Sequence, residues 1–170
     1  IIPRKPRPLI NVNGYIYILG EKAVPIVEKD GEHLTYLSPF AYLIREDGNL
    51  QPIDDIPAIR AAKAENAIPM MSVTNFTSTA KGENLAHIVL NSSQAIKLLI
   101  DNIINIMKEK GYSGLNIDFE NVLPADREAY NRFLQNVVTR LHPEGFFVST
   151  AVAPKTSGKQ VGLLYEAHDY

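Results

Sequence analysis

Residues 115–120 alternate strictly. Leu115, Ile117 and Phe119 are apolar, whereas Asn116, Asp118 and Glu120 are polar. A two-residue period is that of a β-strand, so the three polar side chains share one face and the apolar ones the other. Residues 91–110, just before it, follow a helical period. Ile96, Leu99, Ile100, Ile103 and Met107 form one apolar stripe. Asn91 and Gln94 are spaced as a capping box, and Gly111 stands where a helix-ending glycine belongs. After the strand, residues 124–141 predict a second amphipathic helix burying Tyr130, Phe133, Leu134, Val137, Val138 and Leu141. Further strands are predicted at 15–19, at 34–42 with a break at Pro39, at 68–73, and at 146–153 up to Pro154. The Ala-rich segment 54–66 predicts a helix capped by Asp54 or Asp55. Residues 1–13 are rich in Pro and read as a linker, which leaves 14–170 as the domain.

The order strand, helix, strand, helix, strand with short connections predicts an α/β fold: a parallel sheet with helices outside. Two architectures compete, a doubly wound open sheet and a (β/α)8 TIM barrel. No Gly-x-Gly-x-x-Gly follows any strand, which takes the main support from a nucleotide-binding sheet. In a barrel, inward residues at the C-terminal ends of strands are the catalytic candidates, and Asp118 and Glu120 sit there. A full barrel takes about 250 residues. The 170 residues here correspond to roughly the first five βα units.

Composition narrows the chemistry. An apolar fraction of 45%, a charged fraction of 21% and a net charge of −2 are those of an ordinary globular domain. No basic stripe with interleaved aromatics is present, and Arg4-Lys5-Pro6-Arg7 is short, so no nucleic acid is expected as partner. The chain has no cysteine, which excludes disulfides, thiolate nucleophiles and Cys-ligated metals. No apolar run reaches membrane-spanning length. His33, His87, His142 and His168 are scattered without a His-x-x-x-His pair, so neither metal nor cofactor is expected. The chain starts at Ile1, which reads as an internal start.

Same-face neighbours on a strand lie about 6.5–7 Å apart, so Asp118 and Glu120 approach a ligand from one side. A standard glycosidase places two carboxyls on opposite sides of the scissile bond. A pair on one strand suits a substrate that carries its own nucleophile, such as the carbonyl oxygen of an N-acetyl group. Glu120 then protonates the leaving oxygen, and Asp118 orients the acetamide. The competing reading is a pair of solvated strand-end carboxylates or a metal pair. Tyr15 and Tyr42, at strand ends, are candidates for stacking on sugar rings, whereas Tyr17 and Phe40 read as core. Asn75 can bond a sugar or serve a turn, and Asn121 can orient Glu120 or the ligand. Lys155 and Lys159 read as a solvated loop, or as contacts for an acidic glycan or peptide stem.

Ser-Gly-Leu-Asn-Ile-Asp-Phe-Glu at 113–120 resembles the Asp-Gly-x-Asp-x-Asp-x-Glu signature of glycoside hydrolase family 18, closest to its spore-cortex-lytic branch of N-acetylglucosaminidases. The stretches 34–42, 69–76, 148–155 and 162–170 resemble the same branch, so the similarity runs from about Tyr15 onward. The resemblance implies a (β/α)8 barrel and a retaining, substrate-assisted mechanism. Glu120 matches the general acid/base and Asp118 the acetamide-orienting residue. Asn116 stands where the broad family has Asp, and Ser113 replaces the leading Asp. Asn116 can bond Asp118 but cannot share a proton with it. The family's sixth-strand Met-x-Tyr-Asp motif has no counterpart, so the chain looks like the N-terminal portion of a catalytic domain. The resemblance further implies a peptidoglycan or chitin-like glycan as partner, wall-binding modules upstream of Ile1, and a place in the spore wall, the cell envelope or the secreted fraction. An open half barrel predicts self-association, pairing with a complementary fragment, or poor stability. A chitinase and a non-catalytic carbohydrate-binding relative remain as alternatives.

Overall fold

The structure, a computed structural model, describes residues 10–168. Most of the expected linker, residues 1–9, and the end of the family-like terminus, 169–170, lie outside them. The elements in chain order are β1 (Asn13–Ile16), α1 (Val24–Asp30), β2 (Tyr36–Pro39), β3 (Tyr42–Leu43), α2 (Ile56–Ala64), β4 (Ile68–Thr74), α3 (Glu83–Leu90), α4 (Ser93–Lys110), β5 (Gly114–Asp118), α5 (Arg127–Leu141) and β6 (Phe147–Thr150). Every ladder is parallel, in the order β1-β2-β4-β5-β6 with β3 also on β4. This is the α/β arrangement expected, a run of βα units of the (β/α)8 type. No described helix is long and apolar enough to cross a membrane.

The alternation in β5 sorts its two faces. Leu115, Ile117 and Phe119 enter the large apolar cluster beneath α3, α4 and α5, with Leu99, Ile103, Met107, Phe133 and Leu141 fully covered. Phe119 stacks on Tyr130 and Phe133, with ring centres 5.9 and 5.5 Å away. Side chains of this size each stabilise the fold by about 1.5–3 kcal/mol when buried. A second, smaller cluster under α1 and α2 is largely Ala, joined by Ile16, Val27 and Leu37.

Several local expectations are corrected. Asn13 already belongs to β1, and Val12 pairs with Thr35 and Tyr36, so the linker ends earlier than residue 13. The cap of α4 is Ser92, whose hydroxyl accepts the Ala95 N–H at 3.2 Å, not Asn91. Asp55 occupies the N-cap position of α2 but makes no cap bond. Its carboxylate is fully buried and takes Tyr42, Tyr112 and Lys110 instead. The predicted second strand divides into β2 and β3: Pro39 has no N–H to offer a ladder, and the chain rejoins β4 at Val73 and Thr74.

Candidate active site

The β4–β5 ladder sets the site. Ser72 stands beside Asn116 and Thr74 beside Asp118 on the face away from the helices. The ladder ends there, and Glu120 follows on the strand's C-terminal extension. Asp118 is 8% exposed. Burial first and the neighbouring Glu120 charge second push its carboxyl up to about 6. Asp118 and Glu120 open onto a cleft of about 120 Å3 closed by Ala151, Val152, Leu164 and His168. His168 is held by its Nε2 at 3.1 Å from the Phe119 carbonyl, and burial lowers its pKa. A larger groove of about 510 Å3 between α4 and α5 is lined by Arg132, Arg140 and Lys97 without any carboxylate. The smaller cleft is the one that holds the Asp118–Glu120 pair.

Asn116 does not bond Asp118 as expected. Its amide donates to the Tyr15 hydroxyl at 2.9 Å and accepts from Ser149 at 3.0 Å. These contacts bring Tyr15, 40% exposed, to the site. Burial, then the charge of Asp118, raises the pKa of the Tyr15 phenol. Tyr15 meets Phe40 edge-on at 5.7 Å, and Phe40 packs on Tyr17 at 4.6 Å and on Phe76 at 6.2 Å. Tyr17, expected in the core, is 69% exposed. Its spacing of two from Tyr15 was the available signal. Phe76 joins this aromatic wall from the segment after β4, where no periodicity marks it.

Tyr42 is removed from the site. Its ring is 1% exposed, and its hydroxyl donates to buried Asp55 among the helices, where no sugar reaches it. Asn75 is buried too, and its amide bonds the backbone of Glu120 rather than facing the cleft. Asn121 takes a left-handed backbone (φ 53°), which Asn tolerates better than most residues. Its amide donates to the Lys81 carbonyl at 3.1 Å. The structure thus brings together Asp118, Glu120, Asn116 and Tyr15, and assigns Asn75 and Asn121 to the backbone around the acid. Beside the cleft, Arg127, Lys155 and Lys159 line an open groove of about 610 Å3 that shares His168.

Comparison with known proteins agrees with this fold. The family model described as Glycosyl hydrolases family 18 matches residues 22–170. A cortical fragment-lytic enzyme of Bacillus anthracis is 40% identical over 138 residues, which is 81% of this chain and 32% of that protein. The crystal structure of the spore cortex-lytic enzyme SleL of Bacillus cereus superposes with a TM-score of 0.89 at 33% identity, covering 99% of this chain and 40% of that one. A class V chitinase from Pseudomonas fluorescens Pf-5, at 20% identity and a TM-score of 0.80 over 94% of this chain and 49% of its own, shares the fold. The chain therefore spans 32% of the Bacillus anthracis enzyme, 40% of SleL and 49% of the chitinase. With a family match over most of its length, and the motif's Asp118 and Glu120 at the end of the strand that the fold presents, the chain belongs to glycosyl hydrolase family 18.

Proposed function

We propose that this chain carries the proton donor and the acetamide-orienting carboxylate of a retaining N-acetylglucosaminidase that acts on the peptidoglycan of the spore cortex. The observation that carries this is the Asp118–Glu120 pair, in which a buried carboxyl pushed up to about 6 adjoins a more accessible one in the same cleft. In the proposed first step the substrate's acetamide oxygen bonds to the anomeric carbon. The glycosidic bond breaks, and the departing oxygen takes the proton of Glu120. The product is an oxazolinium ion. Ionised Asp118 accepts the acetamide N–H and offsets the positive charge formed next to it. Water then attacks the anomeric carbon, gives its proton to Glu120, and reopens the ring. Two inversions leave the configuration retained.

Asn116 contributes a dipole in place of a charge, and its contacts with Tyr15 and Ser149 fix its direction. Tyr15, Tyr17, Phe40 and Phe76 offer aromatic faces suited to a pyranose ring. The cortex as site of action follows the names of the relatives. Chitin-type oligosaccharide, cleaved by the same chemistry, is the alternative substrate.

The test is hydrolysis of an aryl N-acetyl-β-glucosaminide and of muramic-lactam-containing cortex fragments. Three forms are compared: this chain, a form extended over the remaining length of its relatives, and the extended form with Glu120→Gln. Activity in the extended form that is lost with Glu120→Gln supports the enzyme. Glycan binding without turnover in every form supports a carbohydrate-binding relative instead.

A further inference from the structure

We propose that Asn75 is the positioning residue of the acid: its side-chain amide supplies the missing rung of the sheet beside Glu120 and thereby fixes where the proton donor stands. This inference rests on the role of Glu120 proposed above.

The β4–β5 ladder has its last pair at Thr74 and Asp118. Beyond it the two chains diverge, and Glu120 lies outside the strand. A backbone that leaves its ladder ordinarily loses its partners and its rigidity. Here the Glu120 N–H donates to Asn75 Oδ1 at 2.8 Å, and the Glu120 carbonyl accepts from Asn75 Nδ2 at 2.7 Å. A primary amide is planar and carries an N–H donor and a C=O acceptor on one edge, as the N–H and C=O of a single strand residue point to one side. One side chain therefore replaces both hydrogen bonds of a strand neighbour. The remaining Nδ2 hydrogen goes to the Gly82 carbonyl at 3.1 Å. A reversed amide would set its oxygen against two carbonyl oxygens, so the orientation is fixed by its partners.

The loop that returns to make this third bond has been shaped for it. Gly82 has φ +84°, and a Cβ there would lie 2.1 Å from the Asn75 carbonyl oxygen. The next residue after the acid is tied to the same loop, through Asn121 and the Lys81 carbonyl. Asn75 is 1% exposed, so it acts on the reaction only through Glu120. The charged groups that line the groove beside it are Glu46, Lys81 and Glu83, with Glu120 across the two hydrogen bonds.

The experiment compares wild type, Glu120→Gln, Asn75→Ala and Asn75→Asp on an aryl N-acetyl-β-glucosaminide, in the form of the protein that is active. Circular dichroism confirms folding at the assay temperature. Displacing a reacting group by about 1 Å can cost about a hundredfold in rate, so Asn75→Ala is expected to lower kcat by about 10- to 100-fold with KM little changed. Asn75→Asp separates positioning from packing. Its neutral acid can donate to the Glu120 carbonyl and accept from the Glu120 N–H, whereas its carboxylate faces carbonyl oxygens. The ratio of its kcat to that of wild type is therefore expected to rise as pH falls. A ratio that is flat with pH, or an Asn75→Ala that raises KM alone, overturns the proposal while Glu120→Gln remains inactive. Retained turnover in Glu120→Gln overturns both this proposal and the role of Glu120.

Discussion

Below about pH 4 Asp118 holds its proton in the folded and the unfolded chain alike; from there to about pH 6 only the folded chain keeps it. The folded state thus binds more protons in that window, and stability falls as pH rises through it, then levels off above. Asp118→Asn removes this penalty. It is expected to raise stability by on the order of 2 kcal/mol at pH 7.5, read as a rise of several degrees in Tm, with little change at pH 4. An equal gain at both pH values would show that ionisation is not the cause. Under the proposed function the same carboxyl acts on activity in the opposite sense. In the proposed mechanism its ionised form receives the acetamide N–H, so kcat/KM is expected to fall as pH drops through about 6, with that limb absent from Asp118→Asn. At this scale the sequence was partly legible. Alternation placed Asp118, Glu120 and Asn116 on one face because a strand has only two faces. It misplaced Tyr42 and left Asn75 between a sugar contact and a turn, since their roles depend on partners remote in sequence, namely Asp55 with Lys110 and the Glu120 backbone.

The helices α4 and α5 were readable because each has a long apolar stripe and a distinct end. Helices α1 and α3 were not. The first has 7 residues with Pro at its start, and the second has 8 residues with a glycine N-cap that offers no side-chain bond. Packing, not local propensity, holds such short helices. The link between α2 and α4 is polar: Asp55, fully buried, pairs with Lys110, and both Tyr42 and Tyr112 donate to it. Removing one member of a buried ion pair costs about 3–5 kcal/mol because its partner is left uncompensated. Asp55→Ala should therefore destabilise the chain by about that amount in urea unfolding. Ser92→Ala, which removes only the α4 cap, should cost about 1 kcal/mol. Comparable losses in the two variants would show that the buried pair contributes no more than a helix cap.

At the level of the whole molecule, β1 and β6 each have one described strand neighbour, so each presents a free edge among the described residues. Exposed edges recruit other strands. The chain is therefore expected to self-associate with rising concentration in analytical ultracentrifugation, and a form extended to the length of its relatives to do so less. A stable monomer at high concentration would show that these edges are protected in another way. The parallel sheet with helices outside was legible from the repeated βα pattern, whereas the barrel was implied by the family resemblance. The partition of the core was not legible, because Ala-rich and Leu-rich faces both read simply as apolar.

That partition bears on motion. β2 and β4 share only two register pairs, Tyr36 with Ile68 and Leu37 with Pro69, over the smaller, mostly Ala cluster. Tyr15 and Tyr17 ride on the thinly anchored side of this seam, and the carboxylates on the densely packed side. Amides of β1 and β2 should accordingly exchange with deuterium sooner than those of β4 and β5. The aromatic wall would then act as a jaw, swinging against a fixed anvil of carboxylates, and the gap between them would widen or narrow as the small cluster breathes.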